Sequence, residues 1–181
     1  SNASPSAVIR YTINGTLPTS NSTQFSAPIN ITSSTLVRAR AFEPNKAPGP
    51  IAEQAYLKLT SNVRAFSSNL PVVVLDRLGS NESASNGKSS VFWSIFEPSE
   101  SGGRTQLLGT YSMGTRAGYK VRGSSSTGFA KKSWSIEAWN ENNANKNVSP
   151  LNMPSESDWI LSGRYTFDRA LMRNPLMYTL S

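Results

Sequence analysis

The chain is 181 residues long, carries a formal net charge of +7, and is 37% hydrophobic and 16% charged. It has no cysteine and no histidine, which excludes disulfides, thiolate or imidazole metal sites and any Ser-His-Asp triad. No apolar run approaches the ~20 residues of a membrane-spanning helix, and the cations are scattered rather than gathered into a recognition helix or an RNA-binding signature, which argues against nucleic acid.

Ser1-Asn2-Ala3 reads as the scar of a cleaved purification tag, so a missing signal peptide carries no information. A first β unit is expected over residues 4–59. Val8–Ile13 alternates like a strand, and Asn14-Gly15 supplies turn chemistry because both residues tolerate positive φ. Phe25–Ile31 reads as a broken edge strand because of Pro28. Thr35–Phe42 alternates cleanly, with Leu36 and Arg38 on one face and Val37, Ala39 and Ala41 on the other. After Pro44, Pro48, Gly49 and Pro50, Ile51–Leu59 is a last strand. Short strands at this spacing predict a small β-sandwich. This stretch resembles the chitobiase/β-hexosaminidase C-terminal-type domain through Tyr11–Thr19, Pro28-Ile29 and Leu36–Ala41, with Asn14 where that family usually has Asp. The resemblance implies a non-catalytic accessory of secreted or cell-surface bacterial proteins, with a glycan as a candidate partner for residues 4–59.

Residues 60–69 are polar and read as a linker. Leu70–Asp76 is an apolar run, hence a buried strand. Arg77–Ser90 is a long Ser/Asn/Gly loop, and Ser90–Phe96 a further strand. Gly102-Gly103 marks a turn before two expected strands, Gln106–Met113 and Gly118–Arg122. Lys132–Trp139 alternates strictly, with Trp134, Ile136 and Ala138 inward; Trp134, Trp139 and Trp159 read as core residues rather than sugar platforms. Asp158–Leu161 is a short strand. Asp168–Leu180 has helical spacing, with Pro175 implying a kink or a late start. The fold class expected is mostly β / α+β: a small β-sandwich, then an antiparallel sheet unit over residues 70–181 with one C-terminal helix.

The block that could carry chemistry is Arg122–Ser133, a strand feeding a small-residue loop and then a strand opening with two lysines. Gly and Ser let the backbone approach a phosphate closely, N–H and hydroxyl groups donate to anionic oxygens, and a nearby lysine supplies a point charge. Protein kinases use such a glycine-rich loop and strand lysine. The motif lacks the Gly-Lys-Ser/Thr ending and the following helix of a Walker A loop.

Arg122-Gly123-Ser124-Ser125 with Gly128–Ser133, then Ser157–Leu161, Gly163, Tyr165, Asp168, Leu171 and Arg173-Asn174, resembles the CotH (spore coat protein H) family of atypical protein kinases. Leu70–Val73 fits the start of that domain. The resemblance implies a kinase N-lobe-like fold in which Lys131, or its neighbour Lys132, meets the nucleotide phosphates. The loop from Gly123 through Ser124 and Ser125 to Gly128 would cover those phosphates, and Arg122 would brace it. A helix with Asp168, Arg173 and Asn174 would stand where kinases place the helix that orients the lysine, although Asp168 equally suits an N-cap. That helix has no glutamate, which leaves Glu137 as an alternative partner for the lysine.

ATP with Mg²⁺ or Mn²⁺ is the cofactor implied for the parent protein, and a surface or coat protein its substrate. The resemblance places the catalytic and metal-holding acids after Asn174, beyond Ser181. The 181 residues are therefore expected to be a fragment of a secreted or cell-envelope bacterial protein, with no catalytic residue or metal ligand of their own and no phosphotransfer alone. The alternative is a non-catalytic adhesion or carbohydrate-associated binding protein.

Overall fold

The computed structural model describes residues 4–79, 87–99, 102–163, 170 and 172–180. Among these residues eleven strands form three antiparallel sheets, accompanied by two α-helices. The protein is mostly β with a small helical part, as the alternation and turn chemistry predict.

The first sheet has the order β2-β1-β3-β4, built from β1 (Val8–Thr12), β2 (Thr23–Gln24), β3 (Thr35–Phe42) and β4 (Ile51–Tyr56). The Asn14-Gly15 turn closes as expected: Asn14 Oδ1 accepts from the Thr16 N–H (3.2 Å) and hydroxyl (2.7 Å), and Gly15 takes φ +85°. The broken strand expected over residues 25–31 does not form: β2 ends just before it at Gln24, and the chain beyond is irregular around Pro28. This unit is a single sheet. The layer that covers it comes from the rest of the chain, because Leu36 and Ala55 form one buried cluster with Leu78 and Phe92.

Residues 60–69 carry α1 (Ser61–Arg64) and β5 (Ser67–Ser68), and β5 pairs with β8 (Thr105–Gln106) as a two-stranded sheet. Arg104 fastens this ribbon, its guanidinium donating to the Ser67 hydroxyl and carbonyl, each at 3.0 Å.

The third sheet has the order β11-β10-β9-β7-β6, from β6 (Val72–Asp76), β7 (Ser89–Phe96), β9 (Met113–Arg122), β10 (Ser133–Trp139) and β11 (Asp158–Leu161). One face carries the main core: Val91, Trp93, Ile95, Ala117, Ile136 and Ala138, flanked by Leu75, Met113, Tyr119, Trp159 and Leu161. Trp134 packs beside Tyr119 with ring centroids 5.1 Å apart. The opposite face meets the first unit through Phe92.

Two strands differ from the sequence reading. β6 is a half-buried edge strand rather than a buried one, because β7 flanks it on one side only; Val73 is 38% exposed. The two strands expected either side of residue 115 are a single ten-residue β9, and residues 107–112 form a turn and bend. Gly114 and Gly118 look like breaks in sequence. In the fold they are places where rings lie flat on the strand: a Cβ on Gly114 would collide with Tyr111 and Phe92, and one on Gly118 with Trp139. α2 spans Arg173–Leu180, the late start foreshadowed by Pro175, which falls in the first turn where its missing N–H breaks no helical bond.

Candidate functional site

β9 ends at Arg122, which pairs across the sheet with Ser133, the first residue of β10. The ten residues between them form the loop singled out by its composition. Gly123 takes φ +118°, a conformation that L side chains rarely adopt, and lets the chain leave the strand sharply. A 3-10 turn follows over Ser125–Gly128, so the loop is folded rather than an open hairpin. The Thr127 hydroxyl donates to the Ser124 carbonyl at 2.7 Å, and the Phe129 N–H to the Ser126 carbonyl at 3.3 Å.

A cavity of about 250 Å³ opens between this turn and the start of β10, lined by Arg122, Gly123, Ser126, Phe129, Lys131, Ser133 and Gly163. Among the described residues its charged side chains are both cations, Arg122 and Lys131, and no carboxylate joins them. A second hollow of about 560 Å³ adjoins it, lined by Ala130, Lys131, Lys132, Trp134, Leu161 and Ser162. Lys131 is the wall common to both, whereas Lys132 faces only the second. Both lysines are exposed.

Gly163 positions this lysine turn. Its N–H donates to the Ser133 hydroxyl at 3.0 Å, and a Cβ there would overlap the backbone carbonyls of Lys131 and Lys132. Only glycine lets the end of β11 lie this close under the two lysines.

The other candidates are placed elsewhere. Gly128 is exposed, with open space around its Cα. Ser124 and Ser125 belong to the turn, and Ser124 does not line the cavity. Glu137 does not reach Lys131: its carboxylate forms a salt bridge with Lys88, from the segment leading into β7. The sequence gives no local sign of that partner, since Lys88 stands in a Ser/Asn/Gly-rich stretch and the sheet alone brings the two together. Arg173 and Asn174 open α2, with Arg173 exposed. Asp168 lies outside the described residues. Ser126, Phe129 and Ser133 line the cavity although none was singled out by type; only their place in the loop pointed to them.

Arg122 and Lys131 on one concavity, with a positive-φ glycine and a serine beside them, make a surface suited to an oxyanion rather than to acid–base chemistry. Among the described residues no group of three or more carboxylates could hold a metal ion, and no helix is long and apolar enough to cross a membrane.

Residues 119–181 match the family model described as CotH kinase protein, and residues 1–56 match the model described as Fn3 associated. No curated protein and no solved structure matches the chain. The first match begins inside β9 and takes in the loop, both lysines and Gly163, so the two together support a CotH-family, kinase-like chain with an N-terminal associated domain.

Proposed function

We propose that residues 122–133 hold the phosphates of a nucleoside triphosphate, ATP in the first instance, as part of an atypical protein kinase acting on surface or coat proteins outside the bacterial cell. The observation that carries this reading is the shared cavity of Arg122 and Lys131 under the Gly123–Gly128 turn. Lys131 would meet the phosphates as a point charge, and Arg122 would present its planar fork to a second oxygen. The turn supplies hydroxyls and backbone N–H groups at close range because Gly123 leaves room for them. Among the described residues the lining holds no carboxylate, so in this reading a divalent cation would be held by the phosphates and by residues not among them. The amino-terminal unit serves in this reading as an accessory of the secreted protein, of the chitobiase C-terminal type.

The test is titration with a fluorescent ATP analogue, with and without Mg²⁺. Lys131→Ala is expected to weaken binding at least about tenfold and Lys132→Ala by less than about threefold, since charge-assisted bonds to an anion are worth ~1.5–3 kcal/mol. Equal binding by wild type and Lys131→Ala would overturn the reading. It would favour the second one, a non-catalytic adhesion scaffold, which the stable packing of the first unit on the third sheet also suits.

A further inference from the structure

A separate cavity of about 640 Å³ lies between the first unit and the turn before β9. Its wall includes Gln54, Ala55 and Tyr56, three consecutive residues of β4. Side chains of a strand alternate between faces, so three in a row can border one hollow only if it runs along the strand's rim. That rim is the outer edge of β4: among the described residues β4 pairs with β3 alone, so its other side is open to a further strand, the Ala55 carbonyl meeting only the Gln54 side-chain amide at 3.1 Å. The floor is apolar, with Phe96 and Leu107 both buried.

The charges are one-sided. Lys58 and Arg64 line the hollow, and among the described residues no carboxylate does. The nearby acid of β4, Glu53, pairs with the buried Arg38, 3.5 Å from its Nε, and does not line the hollow. Lys58 donates to the Thr32 carbonyl at 2.7 Å, which fixes its ammonium in place with donors to spare.

We infer that this groove docks an extended, acidic peptide segment of another protein, taken up as an added strand on β4. Main-chain bonds to the open edge would supply affinity. Alternate side chains would drop onto the Phe96 and Leu107 floor, and a carboxylate would meet Arg64 and Lys58. A neutral or basic segment would leave those cations unpaired and be rejected. The groove is built from other residues than the Arg122–Lys131 cavity, so it stands whether or not a nucleotide binds there.

The experiment is panning of a short random-peptide phage library on the whole 181-residue chain, followed by affinity measurement on a synthesised winner. The expected result is enrichment in Asp and Glu alternating with β-branched residues. Backbone amides of residues 51–56 should exchange more slowly in the complex. Arg64→Glu should cost at least about tenfold in affinity at low salt, a loss that shrinks as added salt screens the charges. Arg64 is exposed, so the variant should melt like the wild type; Lys58→Glu serves as a second, independent variant. Peptides without acidic enrichment, no enriched peptide at all, or an affinity that both variants leave unchanged would overturn the inference. So would glycan-array binding that Arg64→Glu abolishes, which would make the hollow a sugar site.

Discussion

The ammonium of Lys88 rests against the carboxylate of Glu137, both side chains nearly closed off from solvent at 11% and 13% exposure. The pair spans the middle of the third sheet: Glu137 faces Gly118 on β9, which faces Ser90 on β7, two residues past Lys88. Removing one partner strands the other charge in a poorly hydrated place. Lys88→Met or Glu137→Leu alone should each destabilise the fold by about 3 kcal/mol, and the double variant should recover most of that loss. Urea denaturation of the three variants measures it; single and double variants of equal stability would sink the account.

Gly163 is expected to tolerate nothing larger. Gly163→Ala drives a methyl group into the Lys131 and Lys132 carbonyls, and the backbone must move because those atoms are not the flexible end of a side chain. A loss of about 2 kcal/mol is expected, together with weaker binding of the fluorescent ATP analogue. A variant with wild-type melting and wild-type titration would show that the lysine turn yields freely.

Arg38 is 1% exposed and donates to the Gly15 carbonyl at 2.9 Å and to the Glu141 carbonyl at 2.8 Å. Arg38→Met keeps much of the stem's packing and loses both charge-assisted bonds and the pairing with Glu53. The expected cost is about 3 kcal/mol. Near- and far-ultraviolet circular dichroism of the wild type should melt in one transition; two separate transitions would mean that the first unit does not depend on the third sheet.

Glu43 accepts from the hydroxyls of Ser4 (3.0 Å) and Ser6 (2.9 Å) and pairs with Lys46 (3.0 Å). The hydrogen bond with Lys46, then those from Ser6 and Ser4, hold its carboxyl below the usual carboxylate range. A carboxylate with a depressed folded pKa contributes above its unfolded pKa and loses that contribution as pH falls through the folded one. The tether of residues 4–6 should therefore survive the ordinary titration range of glutamate and loosen only below it. Amide exchange at Ala7 as a function of pH reads this out, with Glu43→Gln loosened at every pH; exchange that rises near the usual glutamate pKa would contradict it.

Much of the β architecture was legible because alternation is a local property. Thr35–Phe42 carries its own facing: Leu36 and Arg38 are indeed buried, joined by Thr35 at the start, while Val37, Ala39 and Ala41 are only partly so. What failed to show was anything decided by a distant neighbour. The gap expected between Met113 and Gly118 is strand, and the Tyr111, Phe92 and Trp139 rings that require glycine at 114 and 118 come from outside it. Leu70–Asp76 read as buried because hydrophobicity does not reveal that a strand ends a sheet. At the candidate site, residue types flagged the loop and both lysines, yet adjacent residues in an irregular stretch have no intrinsic facing. Only the fold separates Lys131, which shares a wall with Arg122, from Lys132, which does not. The partner of Glu137 was invisible for the same reason.

The bend that follows β10 is gripped from two directions. Arg38 holds the Glu141 carbonyl, while Arg116, from β9, holds the Asn140 carbonyl at 2.8 Å. Two guanidinium groups from different sheets therefore seize neighbouring peptide units. A tug on the amino-terminal unit would not be absorbed by a slack tether; it would run through Arg38 into β10, the strand whose far end bears the lysines. Load on either unit would thus be felt at the turn that carries Lys131 and Lys132.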